Sequence, residues 1–351
     1  MSKQHKLMGA VSFLIINLIL VTILGACAPA GPSQAEEFYK TNTVTMIAPA
    51  KAGGATDFSA RLIADQWAEA SGGGTMRVIN VSEAGGIVGV NQVYNAEPDG
   101  LTIGVGSMGS RVAGPMVYKD PGMQFDSTKF NYLVQYADEP WCFAISPLLP
   151  YNSITELQQA KGLKLSGQSK TSGDTIGNAL ISYLFDLDAI VITGYGGAAE
   201  IGPACAKGEL DGQSQSAGTL IKQADQGFVK PAILSLSFRR ATLFPDAPAI
   251  SEAMNLTPDQ ENMLKIFSLA NSAAHTVYAT PGIPADRLDY LRDSFAKMMD
   301  QPGFQEGVTN RFGSFTTPLT GDEVSSIIND LAAIPQADID KIQQAIAKYI
   351  K

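Results

Sequence analysis

Histidine is the scarcest informative residue in this chain, with two in 351 positions. His5 lies in a segment expected to be removed, which leaves His275 alone. A multi-histidine metal site is therefore excluded, and any histidine-assisted nucleophile has one residue to use. Cysteine is nearly as rare, at three. Basic residues are also short: 25 Lys and Arg face 34 Asp and Glu, for a net charge of −9. That balance disfavours nucleic acid as a partner, although a site in an acidic protein can be locally positive and take an anionic ligand. The composition leans away from hydrolases and metalloenzymes. An apolar fraction of 45% fits an ordinary globular protein, and neither a disordered chain nor a polytopic membrane protein. The length allows two or three domain equivalents with sizeable cores.

What is present begins with an address. Lys3, His5 and Lys6 precede an apolar run from Leu7 to Ala26, the pattern of a secretory signal. Leu24-Gly25-Ala26-Cys27 resembles the bacterial lipobox, in which the cysteine is acylated and becomes the new N-terminus. An uncleaved anchor is the alternative, because the run is long enough to span a bilayer. Residues 1–26 are thus expected to be a lipoprotein signal peptide, Cys27 the lipidated residue, and 27–40 a flexible tether rich in Pro and Gly. On either reading the remainder is exported and held at a membrane on its extracytoplasmic side. Losing residues 1–26 removes Lys3 and Lys6 and no acid, so the net charge moves to −11. Cys142 and Cys205 remain in an oxidising location, as one disulfide or as two buried thiols.

The rest of the chain alternates short apolar strands with amphipathic helices. Strands are expected at 44–48, 76–81, 101–105, 163–166, 189–193 and 232–237. Helices are expected over 57–70, 88–95, 175–185, 198–206, 284–299 and 338–349, with capping signals at Ser153 and Thr320 opening two more. Such alternation means α/β, with largely parallel sheets and ligands at the C-terminal ends of the strands.

The loops at those strand ends carry the chemistry. Pro49 to Asp57 places Gly53 and Gly54 before a helix, where a tight turn and exposed amides suit an anion. Thr56 adds a hydroxyl, and Asp57 suits a cap paired with Arg61; a plain, well-capped βα turn reads equally well. Glu83 to Gly89 is a second glycine turn, more readily explained by tight strand–helix packing. Gly104-x-Gly106-x-x-Gly109 matches a dinucleotide fingerprint with Asp126 downstream. Gly114-Pro115 interrupts the helix it requires, and an exported protein rarely meets free NAD, so no cofactor is assigned. Ser107 is still well placed to offer a hydroxyl. Mid-chain, Ser169 to Gly173 and Gly194 to Glu200 precede two further helices. All these loops are polar and nearly devoid of Lys and Arg, and surface turns are the bland reading of each taken singly.

Taken in order, the pieces resemble the extracytoplasmic binding proteins of the tripartite tricarboxylate transporter family, the Bug receptors. The matching residues are Pro49…Gly53-Gly54-x-x-Asp57…Ala60-Arg61, Asn80…Ala84-Gly85-Gly86…Gly89, Pro98-Asp99-Gly100-Leu101-Thr102 and Tyr195-Gly196-Gly197-Ala198…Gly208-Glu209-Leu210-Asp211. Arg239…Pro245-Asp246-x-Pro248-x-x-x-Glu252 and Ala279-Thr280-Pro281-Gly282-Ile283-Pro284 complete the series. The resemblance covers 41–351. Leu101 replaces the usual tyrosine, Ser82-Glu83 stands where Pro-Gly or a base is common, and Ala253 to Thr276 is longer and more polar than expected.

The resemblance implies a two-lobed periplasmic-binding-protein fold, type II-like, each lobe a mostly parallel sheet flanked by helices, with a hinge between them. Lobe 1 would take 41–141 plus 266–351 and lobe 2 would take 142–265. The chain would cross near Tyr136 to Cys142 and return near Lys265 to Ser272. A small carboxylate would be held by Gly53, Gly54, Ala55, Thr56, Asp57 and Ser107 of the first lobe. Ser172, Gly173, Tyr195, Gly197 and Ala198 would face them, with Trp141 as an apolar wall or simply a core residue. Hydrogen bonds to a charged partner contribute about 1.5–3 kcal/mol each, so three or four reach micromolar affinity without an arginine clamp. The implied function is delivery of the carboxylate by a lipid-anchored monomer to membrane permease subunits, with no catalytic residue, metal or cofactor. The alternatives are a receptor serving a sensor kinase, and an exported hydrolase using Ser107 or Ser172 with His275.

Overall fold

The computed structural model describes residues 33–108, 122–137, 140–170, 172–312 and 315–351. The signal segment, Cys27 and the first part of the tether, 27–32, lie outside the described residues. Among those described, no helix is long and apolar enough to cross a membrane.

Eleven strands among the described residues make two mixed sheets. The first sheet is built from β1 (Thr43–Ala48), β2 (Thr75–Asn80), β3 (Thr102–Gly106) and β4 (Asn131–Gln135). The chain then passes to the second sheet through β5 (Trp141–Ile145), β6 (Leu163–Ser166), β7 (Ala189–Ile192), β8 (Gly212–Ser216) and β9 (Leu234–Ser235). It returns to the first through β10 (Thr276–Ala279) and β11 (Leu319–Thr320). The orders are β11-β4-β10-β3-β1-β2 and β7-β6-β8-β5-β9. The expected parallel character holds for β1 with β2 and β3, and for β6 with β7 and β8. Each sheet also has reversed members: β10 runs against β3 and β4, and β5 against β8 and β9.

Alternating side chains sort each strand between two cores. In β1, Val44, Met46 and Ala48 pack with Trp67, Phe295 and Met298, whereas Ile47 faces Val90, Tyr278 and Val324. In β5, Phe143 and Ile145 join one cluster and Cys142 and Ala144 the other. Both sheets are therefore covered by helices on both faces. The helix Pro258–Ser272 belongs to both bodies: Met263, Leu264 and Phe267 lie in a second-sheet core, and Ala270 in a first-sheet core.

Two expectations need correction. Residues 34–40 are not tether: Gln34–Thr41 is a helix capped by Ser33, and Tyr39 is fully buried, stacked on Tyr290 at 5.4 Å and edge-on to Trp67. Within 266–351, the terminal helix Gln336–Ala347 leaves the first sheet. Its Ile342 and Ile346 join a core of the second, and the Tyr349 carbonyl accepts from the Val191 amide at 2.6 Å. Apolar burial of those side chains on the 173–184 helix face decides its side.

Candidate functional site

The C-terminal ends of the parallel strands of both sheets adjoin, since one cavity is lined by residues from both edges. On the first sheet, the turn after β1 holds Gly53 at φ +83°, a left-handed value that favours glycine. The helix Ala55–Ala70 then starts at Gly54 with no side-chain cap, so its first amides have no partner within the helix. Asp57, 4% exposed, accepts from the Gly53 amide at 2.8 Å and from Arg61 Nε at 3.2 Å. Arg61 Nη2 lies 2.9 Å from its other oxygen, and Asn80 Nδ2 donates to Ala50 O at 3.1 Å. The Arg61 hydrogen bond, then that of Gly53, holds the Asp57 carboxyl below its usual pKa. Asp57 thus ties the turn together, and Arg61 neutralises its charge.

The other glycine signals divide. Gly89 packs within 3.0 Å of Val81 O and 3.1 Å of Pro49, measured to where a Cβ would stand, which is the tight strand–helix contact. Gly104 lies under the Tyr278 ring, where a Cβ would come within 2.5 Å, so the first glycine of the fingerprint serves sheet packing. Asp126 is spent on the Thr128 amide and hydroxyl. Gly109, Gly114 and Pro115 lie outside the described residues. Ser107 sits half-buried directly after β3, next to Met108, whose amide donates to Ala273 O at 3.1 Å.

On the second sheet, the helices Gly173–Leu184 and Ala198–Ala206 both start without a side-chain cap, at Ser172 and Gly197. Ser172 Oγ is engaged in its own loop: it donates to Ser169 O at 2.8 Å, accepts from the Ser169 amide and lies 3.0 Å from Thr175 Oγ1. The Asp174 carboxyl beneath is buried, and desolvation raises its pKa although Ser172, Thr175 and Gln168 favour the charge. Gly197 has φ +141°, with Gln168 Oε1 3.9 Å from its missing Cβ, which brings the two loops side by side. Ala198 O accepts from Gln223 at 2.8 Å, and Tyr195 is half-buried against the core around Cys205. Cys142 and Cys205 are separate buried thiols.

Trp141 lies at the start of β5, edge-to-face with Phe267 at 6.3 Å, and its ring reaches within 3.1 Å of the missing Cβ of Gly173. Of the ligand-holding residues expected from the sequence, it is the one that lines the cavity, of about 760 Å³. Arg239, Arg240 and Lys265, which sequence reasoning did not assign, line the same cavity. The adjacent Arg239-Arg240 pair just after a strand was the available signal. Among the described residues, no cluster of His, Cys, Asp and Glu could hold a metal.

The family model for the tripartite tricarboxylate transporter receptor matches residues 59–333. The chain belongs to that family. A curated relative, a UPF0065 protein of Bordetella bronchiseptica, is 25% identical over 342 residues, covering 93% of this chain and 90% of the relative. Among solved structures, the periplasmic binding protein BugD aligns with TM-score 0.66 at 23% identity over 88% of this chain and 99% of BugD. A Rhodopseudomonas palustris protein solved with adipate aligns with TM-score 0.65 at 19% identity over 88% and 98%. These likenesses give the receptor its two-sheet binding-protein fold, and its family is one of extracytoplasmic solute-binding proteins.

Proposed function

We propose that this receptor captures a small carboxylate between its two sheets and delivers it to the membrane permease subunits of a tripartite tricarboxylate transporter. Lobe 1 is built on the first sheet and lobe 2 on 142–265 with the terminal helix. The observation that carries the reading is the set of helix starts without side-chain caps, at Gly54, Ser172 and Gly197, on the C-terminal edges of both sheets. The positive ends of these helices favour negative charge. Arg61 cancels Asp57, and Glu200 is drawn back onto the Gly196 amide at 2.7 Å, so neither acid is left bare beside an incoming anion. A relative of this fold was solved with adipate, which makes short dicarboxylates the first ligands to try. Contact with both sheets draws the lobes together and gives the permease a shape that reports occupancy. Cys27 carries the lipid that keeps the receptor at the membrane, where it works as a monomer.

Isothermal titration with adipate, malate, citrate and benzoate tests the reading. Micromolar binding of at least one acid, with a raised melting temperature, supports it. Silence across the whole panel sinks it. Radiolabelled palmitate incorporation that disappears in Cys27→Ala tests the anchor.

A further inference from the structure

The helix Gln34–Thr41 lies at one end of the first sheet, and its contacts fix which end. It leads through Asn42 directly into β1. The Tyr39 hydroxyl donates to Gly100 O at 3.4 Å, in the turn that precedes β3. A Cβ at Gly74 would stand 3.0 Å from Tyr39 O, and one at Gly72 would stand 3.5 Å from Glu36 Oε1. The turn before β2 thus rests on the same helix. The Arg287 guanidinium lies over the Phe38 ring at 3.6 Å, and Tyr290 stacks on Tyr39. The helix therefore spans the N-terminal ends of β1, β2 and β3. The glycine turn after β1 lies at the opposite ends of these strands, so the helix forms the floor of lobe 1.

The chain reaches that floor from Cys27. Ser33 caps the helix, its Oγ accepting from the Glu36 amide at 3.1 Å. Six residue steps separate it from Cys27, and fully extended they cover at most about 20–22 Å. The distance from floor to cleft is longer. The helix Ala55–Ala70 runs the height of lobe 1, from the turn at Gly54 to the turn at 71–74 that rests on the floor. Its 16 residues span about 24 Å. Ser33 stands one helical turn from Glu36, beside Gly72, so it lies about that far beneath the cleft. A tether from Ser33 must also pass around the lobe and not through it. Cys27 cannot be brought level with the cleft rim.

We propose that the floor of lobe 1, around the helix Gln34–Thr41, is the membrane-facing surface of the receptor, with a lipid bilayer as its partner, and that the cleft and lobe 2 are held away from that bilayer. This rests on the lipid anchor at Cys27 proposed above. Because the C-terminal strand ends of the two sheets adjoin at the cleft, lobe 2 is the outer lobe. It closes over a ligand without displacing lipid, while lobe 1 stays fixed at the surface. The permease reaches the ligand from the side, because the cleft cannot be turned down onto the membrane.

The test is energy transfer from the acylated protein in phosphatidylcholine vesicles that carry an acceptor-labelled lipid. A maleimide donor dye is placed at Glu37→Cys on the floor, at Lys51→Cys on the cleft rim, or at Lys161→Cys before β6, at the far end of lobe 2. All three positions are exposed, whereas Cys142 and Cys205 are buried, so the introduced thiol alone reacts. A melting curve of each variant verifies its fold. Expected is transfer that falls in the order 37, 51, 161, at least twofold from first to last. A Gly-Ser spacer of about 20 residues inserted after Pro32, with a reach of roughly 70 Å when extended, should bring the three values together. Transfer that is equal at the three positions, or strongest at 51 or 161, overturns the orientation. An order that the spacer leaves unchanged refutes the short tether as its cause. Mass analysis of the N-terminal peptide separates the two readings. A free Cys27 thiol removes the anchor and the orientation with it, whereas acylated Cys27 with equal transfer removes the orientation alone.

Discussion

Replacing Ala55 by proline isolates the amide cradle from everything else in the fold. Ala55 is the first residue of the helix Ala55–Ala70, and Gly54 before it has φ −81° and ψ 177°. That extended conformation is the one a residue preceding proline requires. Proline at the first helical position sacrifices no helical hydrogen bond, because that N–H has no acceptor within the helix. The substitution also restricts the unfolded chain, so stability holds or rises by about 0.4–1 kcal/mol. What is lost is one amide donor, the one that the proposed carboxylate site uses at this turn. A hydrogen bond to a charged group contributes about 1.5–3 kcal/mol, so the dissociation constant should rise roughly 10- to 150-fold. Titration calorimetry with the tightest small dicarboxylate, run beside thermal melts of the free protein, reads both quantities. The expected pair is weaker binding with an unchanged or higher melting temperature. An affinity within twofold of wild type refutes amide recognition at this turn, whatever the melting temperature does.

Three further outcomes follow from particular contacts. Asp174 is buried and its pKa is raised by desolvation, so the native state holds its proton more tightly than the unfolded chain. Stability from this group is complete at low pH and is lost as pH rises through the folded-state value; Asp174→Asn should therefore raise the melting temperature at pH 8, and the gain should vanish below about pH 4. Burial pushes the Cys142 and Cys205 thiols up to about 12. Both should resist iodoacetamide at pH 8 in the native protein and react once it is unfolded, and rapid native labelling would contradict their burial. Gly104→Ala drives a methyl into the Tyr278 ring and should cost about 1–3 kcal/mol in denaturant unfolding.

The parallel βα units were legible because each is a local statement. An apolar run, a glycine turn and an amphipathic helix follow one another along the chain, and β1, β2, β3, β6 and β7, with the helices after β1, β2, β6 and β7, fell near the expected positions. The reversed and polar strands were not. β8 is Gly-Gln-Ser-Gln-Ser and fully buried, so it carries no apolar signal. Gln213 donates to Gln223 at 2.7 Å and Ser214 to Asn178 at 2.7 Å, while Gln213 Oε1 and Gln215 Nε2 stay buried without a partner among the described residues. Helix 34–41 looked like tether because its anchor, Tyr39, finds Trp67 and Tyr290 far along the chain.

The site divides along the same line. Turn glycines and helix starts are properties of consecutive residues, so the sequence by itself placed the helix starts at Gly54 and Gly197, although it did not show that the Gly53 amide is taken by Asp57 at 2.8 Å. Whether a hydroxyl is free is a tertiary matter, and Ser172 turned out to be occupied by Ser169 and Thr175. The cavity was decided by tertiary structure alone. Gln135, Trp141, Arg239, Lys265 and Thr316 meet only because the chain crosses between the sheets and returns through the Pro258–Ser272 helix. Local pattern specifies what a segment offers; only the packing of distant segments brings charges from across the chain into one cavity.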